Sequence, residues 1–158
     1  MSIATIEKPT IGQPMQQMAE RAPETAEKLV IFAWSGELDK IWPTLILATT
    51  GAAMGKETTV FFTFWGLFPL VKNQVRLTGE NWMQKMLSMM NHLAKEHHVA
   101  SPHELMELAK EMGVHLIPCQ MTMDMMGLKR EDLIDGLEEP AGATKALADA
   151  QGAITLFI

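Results

Sequence analysis

Leu29-Val30-Ile31-Phe32-Ala33-Trp34, closed by Ser35-Gly36, is a short unbroken apolar run, the pattern of a strand covered on both faces. Downstream, Asp39 to Gly55 places Ile41, Leu45, Leu47, Ala48, Ala52 and Met54 along a helix. Pro43 is tolerable there only in a first turn, where a missing amide costs no intrahelical bond. The helix is expected to end near Gly51 or Gly55. Thr58-Thr59-Val60-Phe61-Phe62-Thr63-Phe64 is rich in β-branched and aromatic residues and reads as a second buried strand. Strand, helix, strand is the parallel crossover unit, which decides for an α/β chain.

Outward from this unit, Met1 to Glu27 carries Pro9, Pro14 and Pro23 with no sustained period, and reads as an arm, 1–27, before a single domain, 28–158. Trp65 to Leu77 is too apolar for a solvated loop and too interrupted for a regular element, so it needs cover from the domain or another subunit. Trp82, Met83, Met86, Leu87, Met90, Leu93 and Ala94 recur at helical spacing, giving a helix to about His97. Ser101-Pro102-His103-Glu104 opens another with an N-cap serine, a proline at the first helical position and a glutamate three residues after the cap; Gly113 closes it.

Val114-His115-Leu116-Ile117 is a third strand, kept extended by Pro118, so that Cys119 stands just past a strand's carboxyl end. Short helices are expected over Gln120 to Met126, stopped at Gly127, over Lys129 to Gly136, and over Ala141 to Ala150. Ala153 to Ile158 reads as a last buried strand. The sum is an open, mostly parallel sheet with helices on both faces, a three-layer flavodoxin-like α/β arrangement.

The chain has 158 residues, 47% of them hydrophobic, and a single cysteine, so one core forms without an internal disulfide. A net charge of -6 and scattered arginines at Arg21, Arg76 and Arg130 disfavour nucleic acid as a partner. The first residues lack a secretory pattern, and the longest apolar run, Phe61 to Val71, is about half the ~20 residues a membrane-crossing helix needs, so a cytoplasmic location with no transmembrane segment is expected.

In a parallel sheet the loops at the strands' carboxyl ends form the binding crevice, where the strand order reverses. Three loops qualify: Trp34-Ser35-Gly36, Trp65-Gly66 and Pro118-Cys119-Gln120. If a helix begins at Cys119 or one residue later, free amides and the helix dipole favour a thiolate there; otherwise Cys119 is a buried structural cysteine. Asp124 is either a helix-surface charge or a like charge raising the thiol pKa. Met121, Met123, Met125 and Met126 fill core or interface, or line an apolar approach to the sulfur. His97, His98, His103 and Cys119 lack metal-site spacing, and no phosphate cradle or Gly-x-Ser-x-Gly segment is present, so neither a metal nor another cofactor is expected.

Trp34-Ser35-Gly36-Glu37-Leu38-Asp39-Lys40, then Thr59 through Leu67, and above all Pro118-Cys119-Gln120-Met121-Thr122-Met123-Asp124 through Gly127 with Leu133-Ile134-Asp135-Gly136, resemble the DsrE/DsrF-like family, in its DsrE-type, peroxiredoxin-labelled branch of sulfurtransferases. The resemblance covers most of Lys28 to Ile158. It implies a parallel sheet between helices, assembly as a homo-oligomer (trimer, tetramer or hexamer), and a persulfide or thiosulfonate held on the cysteine that Cys119 matches. It also implies a sulfur donor and a small acceptor carrier of the TusA type. Some relatives have a second cysteine nearby, which this chain lacks.

The leading expectation is a sulfur relay in which Cys119 is the nucleophile, with Ser35, Gly36, Trp65 and Gly66 forming the opposite wall and Gln120 and Met121 beside the sulfur. A thiol peroxidase is the second class, although it needs a resolving thiol. The third is a non-catalytic oligomeric module in which Cys119 is merely buried.

Overall fold

The computed structural model describes residues 27–72, His92 and residues 99–158. The expected amino-terminal arm, save Glu27, and the expected helix to His97, save His92, lie outside the described residues. Four strands make one sheet, β1 (Lys28–Ala33), β2 (Glu57–Phe62), β3 (His115–Pro118) and β4 (Ile154–Phe157), in the order β3-β2-β1-β4. All three pairings are parallel, with Ala33 opposite Phe62 and Phe61 opposite Ile117. The α/β fold read from the sequence is therefore observed, with a sheet parallel throughout.

The two faces of the sheet are covered unequally. On one, Leu29, Ile31, Ala33, Val60, Phe62 and Leu116 pack with Ile41, Leu45 and Ala48 of α1 (Leu38–Ala53) and with Leu105, Met106 and Ala109 of α2 (Pro102–Glu111). Full burial of a side chain such as Leu45 stabilises by about 1.5–3 kcal/mol, and its truncation to alanine costs about 2–5. On the other face Phe61, Ile117 and Cys119 pack with Ala146 of α4 (Ala143–Ala150). The order of elements explains the layers: successive parallel strands need crossovers, and the crossover helices must bury their apolar stripes on the sheet.

Local signals position the ends. Ser101 accepts from the Glu104 amide while the Glu104 carboxylate accepts from the Ser101 amide, a complete capping box for α2. Gly127, at φ 63°, stops α3 (Gln120–Met126) in a left-handed turn that few other residues adopt without cost.

Three expectations need correction. Helix α1 begins at Leu38 after Glu37, so Pro43 lies in its second turn rather than its first; having no N–H, it cannot donate to the carbonyl of Asp39 one turn back. Lys129 to Gly136 forms only a 3-10 turn, Arg130–Asp132. Its backbone is spent elsewhere, since Leu133 bridges Val71, Lys72 N donates to Asp132 O, and Ile134 N donates to Leu70 O. The last strand is not buried: β4 is an edge strand, and Phe157 is 69% exposed.

Candidate functional site

Parallel pairing brings the carboxyl ends of β1, β2 and β3 to one edge of the sheet, and the hydrogen-bond ladder continues one residue beyond each strand. Trp34 N donates to Ile158 O at 3.0 Å, Thr63 N to Ala33 O at 2.9 Å, and Cys119 N to Phe62 O at 2.9 Å. The order of strands reverses between β1 and β4, whereas Cys119 follows β3 on the far side of β2. The candidate sulfur thus lies away from the reversal point on which the sequence argument leaned.

The segment after β2, too apolar for a solvated loop, is a 3-10 helix, Phe64–Leu70, that buries Gly66, Leu67, Phe68 and Leu70 and leaves Trp65 58% exposed, stacked on Phe68 at 5.3 Å. Gly66 N donates to both Trp34 O and Thr63 O. A Cβ on Gly36 would meet the Trp65 carbonyl oxygen at 2.4 Å. Gly36, Trp65 and Gly66 are therefore neighbours at the ends of β1 and β2, with Ser35 next to Gly36 in the chain. The Ser35 hydroxyl accepts from Glu37 N at 3.3 Å, and its loop is two strands from β3, about 10 Å at ordinary strand spacing.

Cys119 is the N-cap of α3, extended at φ -74°, ψ 116°, and only 3% exposed. Gln120 N, the next amide, donates to Ala141 O. Burial pushes the thiol pKa up, but the Thr122 hydroxyl and amide, the Thr63 hydroxyl and the Met121 amide act against it, and the net result lies below the ordinary value. The sulfur closes no regular capping bond. With seven residues, α3 offers the sulfur at most a short dipole.

Thr63 and Thr122 were not singled out in the sequence. Their hydroxyl oxygens lie 3.3 Å apart, and Thr122 Oγ1 accepts from Phe64 N at 3.0 Å. The available signal was spacing: with Cys119 as N-cap, residue 122 is the position whose amide faces a cap side chain. Gln120 is exposed and donates to Asp124 at 2.7 Å, which makes Asp124 a surface charge. Met121 and Met125 are exposed on α3, while Met123 is in the core. Among the described residues no group of three or more His, Cys, Asp or Glu could hold a metal ion, and no helix is long and apolar enough to cross a membrane.

The model of the DsrE/DsrF/DrsH-like family matches residues 25–92 and 71–157. Sulfur carrier protein DsrE2 of Allochromatium vinosum is 36% identical over 156 residues, spanning 84% of this chain and 98% of that protein. YrkE of Bacillus subtilis is 34% identical over 159 residues, spanning 85% of this chain and 99% of its own. Among solved structures, the YchN protein of E. coli superposes with a TM-score of 0.59 at 17% identity, covering 83% of this chain and 98% of that one. MTH1491 of Methanobacterium thermoautotrophicum gives 0.52 at 12%, with the same coverages. At such identities the two structures speak for the fold alone.

Proposed function

Because the chain belongs to the DsrE/DsrF/DrsH-like family, we propose that it is a sulfur-relay protein that carries persulfide or thiosulfonate sulfur on Cys119 between a donor and a small acceptor carrier of the TusA type. The observation that carries this reading is a lone cysteine set at the carboxyl end of β3 as the N-cap of α3, its thiol pushed up by burial yet brought below the ordinary value by the Thr122 hydroxyl and amide, the Thr63 hydroxyl and the Met121 amide. The relative named as a sulfur carrier, 36% identical over most of the chain, supports it.

In the proposed cycle the Cys119 thiolate attacks the outer sulfur of a donor persulfide. The donor's sulfur–sulfur bond breaks, its inner sulfur leaves as a thiolate, and Cys119 holds the transferred sulfur as its own persulfide. An acceptor thiolate then attacks that outer sulfur and returns Cys119 as a thiolate, with no net oxidation. With tetrathionate the same attack releases thiosulfate and leaves a thiosulfonate on the cysteine. Loading requires the buried Cys119 sulfur to become accessible. Ser35, Gly36, Trp65 and Gly66, at the ends of β1 and β2, would form the facing wall. The relay would work in the cytoplasm, where thiols stay reduced, and in a homo-oligomer (trimer, tetramer or hexamer), supported by the exposed Trp34, Leu147 and Phe157.

The test is to incubate purified protein with inorganic polysulfide, with tetrathionate and with hydrogen peroxide, and to weigh the intact chain after each. Added sulfur or thiosulfonate mass that is lost in Cys119→Ser supports the relay. Peroxide turnover without sulfur uptake would replace it with a thiol peroxidase, and a thiol inert to all three leaves only an interaction module.

A further inference from the structure

We propose that α4 is the lid of the sulfur site and opens by local unfolding to admit a sulfur donor to Cys119. This deepens, and rests on, the reading of Cys119 as the sulfur carrier. Cys119 is 3% exposed and belongs to a small cluster with Phe61 and Ile117 of the sheet and Ala146 of α4, against which Phe32 and Ala141 pack. The chain enters α4 directly beside the cysteine: Ala141 N donates to Pro118 O at 3.0 Å, Gln120 N donates to Ala141 O at 2.9 Å, and Ala141 forms a parallel bridge with Cys119. It rejoins the sheet at Ile154.

Between those two anchors α4 is held lightly. Among the described residues, no hydrogen bond or ion pair of residues 142–152 reaches the sheet or another helix: Lys145 N and Ala146 N donate to Gly142 O, Gln151 N donates to Ala148 O, and Lys145 pairs with Asp149. Of its eight residues only Ala146 is buried, so the small apolar area of an alanine is its main fastening. The other helix at the cysteine, α3, is held more firmly. It buries Thr122 and Met123, the latter in the main core, and Thr122 Oγ1 accepts from Phe64 N at 3.0 Å, which ties α3 to the turn after β2. Few buried apolar contacts and no bond to the sheet place α4 at the low end of local stability. Eight residues do not persist as a helix in water, so α4 melts on leaving the sheet, and its own helix propensity sets how often Cys119 is uncovered.

The test alkylates the full chain with iodoacetamide, at levels where the rate is proportional to reagent and so reads the open fraction, and follows the intact mass; the single cysteine makes the added mass unambiguous. Ala148 is exposed on α4, away from the buried cluster. Ala148→Gly weakens the helix and is expected to speed alkylation about fivefold. Met125→Gly, an exposed substitution on α3, is expected to leave the rate unchanged. Gly142 has φ -90° and ψ 175°, with open space where a Cβ would stand, so Gly142→Ser fits; it supplies a capping hydroxyl, stiffens the melted chain and is expected to slow alkylation about twofold. In urea the rate should rise far less steeply than global unfolding, since little surface is exposed.

Alkylation that ignores both Ala148→Gly and Gly142→Ser, that quickens with Met125→Gly instead, or that follows urea as steeply as global unfolding overturns the lid. Should Ala148→Gly not fold, Gly142→Ser decides alone. Mass gained from inorganic polysulfide is weighed on the same variants. A chain whose alkylation follows α4 as expected yet gains no sulfur at Cys119 sinks the sulfur-carrier reading and leaves the lid, whereas sulfur uptake indifferent to both α4 variants sinks the lid and leaves the carrier.

Discussion

Gly66 lies so close to Ala33 that a Cβ on residue 66 would sit 2.0 Å from the Ala33 carbonyl oxygen. That carbonyl also accepts from Thr63 N, so the backbone leaving β1 is fixed on two sides and cannot yield. The constraint is steric, because Gly66 is not among the glycines with positive φ. It ties the wall at Trp65 to the end of β1.

Gly66→Ala should therefore destabilise by about 3 kcal/mol or more, in the range reserved for overpacking against backbone. Gly36→Ala should behave similarly, since its Cβ would meet the Trp65 carbonyl oxygen at 2.4 Å. Chemical denaturation of the two variants checks this. A change below about 1 kcal/mol in either would mean that the loops after β1 and β2 shift easily.

These contacts mark the boundary of what the sequence could convey. The apolar run Leu29 to Trp34 and the β-branched run from Thr58 specify strands because side-chain burial is a local pattern with a period, and both strands are observed within two residues of the expected ends. The Ser101 to Glu104 box is legible because all its partners lie within one turn. Lys129 to Gly136 misleads because its backbone partners, Leu70 and Lys72, are about sixty residues away. Burial of β4 fails for a related reason: an apolar strand reads the same whether its own chain or a second subunit covers it. At the site, Cys119 was visible by its place after a strand, but the Thr63–Thr122 pair arises only when the ends of β2 and β3 become neighbours.

Ser101→Ala removes the side-chain acceptor for the Glu104 amide while leaving the rest of α2 intact. Loss of such a cap costs about 1 kcal/mol. Because α2 packs on α1 through Leu105 and Ala109, the loss should lower the denaturation midpoint of the whole domain rather than merely fray one end. Asp in place of Ser101 should recover most of it, as aspartate caps equally well.

The state of Cys119 should also appear in stability. Burial raises its pKa, the Thr122 hydroxyl and amide with Thr63 and the Met121 amide lower it, and the net shift is downward. A folded value below the unfolded one means that the unfolded chain holds more protons in the interval between them, so stability rises with pH there. Stabilisation from the thiolate is complete above the unfolded thiol's value and is lost as pH falls through the folded one. The stability of wild type minus that of Cys119→Ala should widen as pH climbs through the alkaline side of neutrality and level off above the ordinary cysteine range. A difference that stays flat across that interval would mean that folding leaves the thiol's pKa unchanged.

Phe157 stacks on Phe32 at 5.7 Å and on Trp34 at 6.4 Å, forming an aromatic row at the end of β1 and β4. Phe157 is 69% and Trp34 45% exposed, and the β4 strand beneath them has no neighbour on its outer side among the described residues. Water-facing aromatic surface beside an open strand edge is the pattern of a protein–protein contact. If a second copy covers it, Phe157→Asp introduces a charge into that contact and should shift the chain to lower mass in size-exclusion chromatography with light scattering. The cost to a single subunit should be small, because the side chain is already largely hydrated. Unchanged mass for Phe157→Asp would move the contact away from β4, and a wild-type chain that runs as a monomer would remove the homo-oligomer from the proposed function altogether.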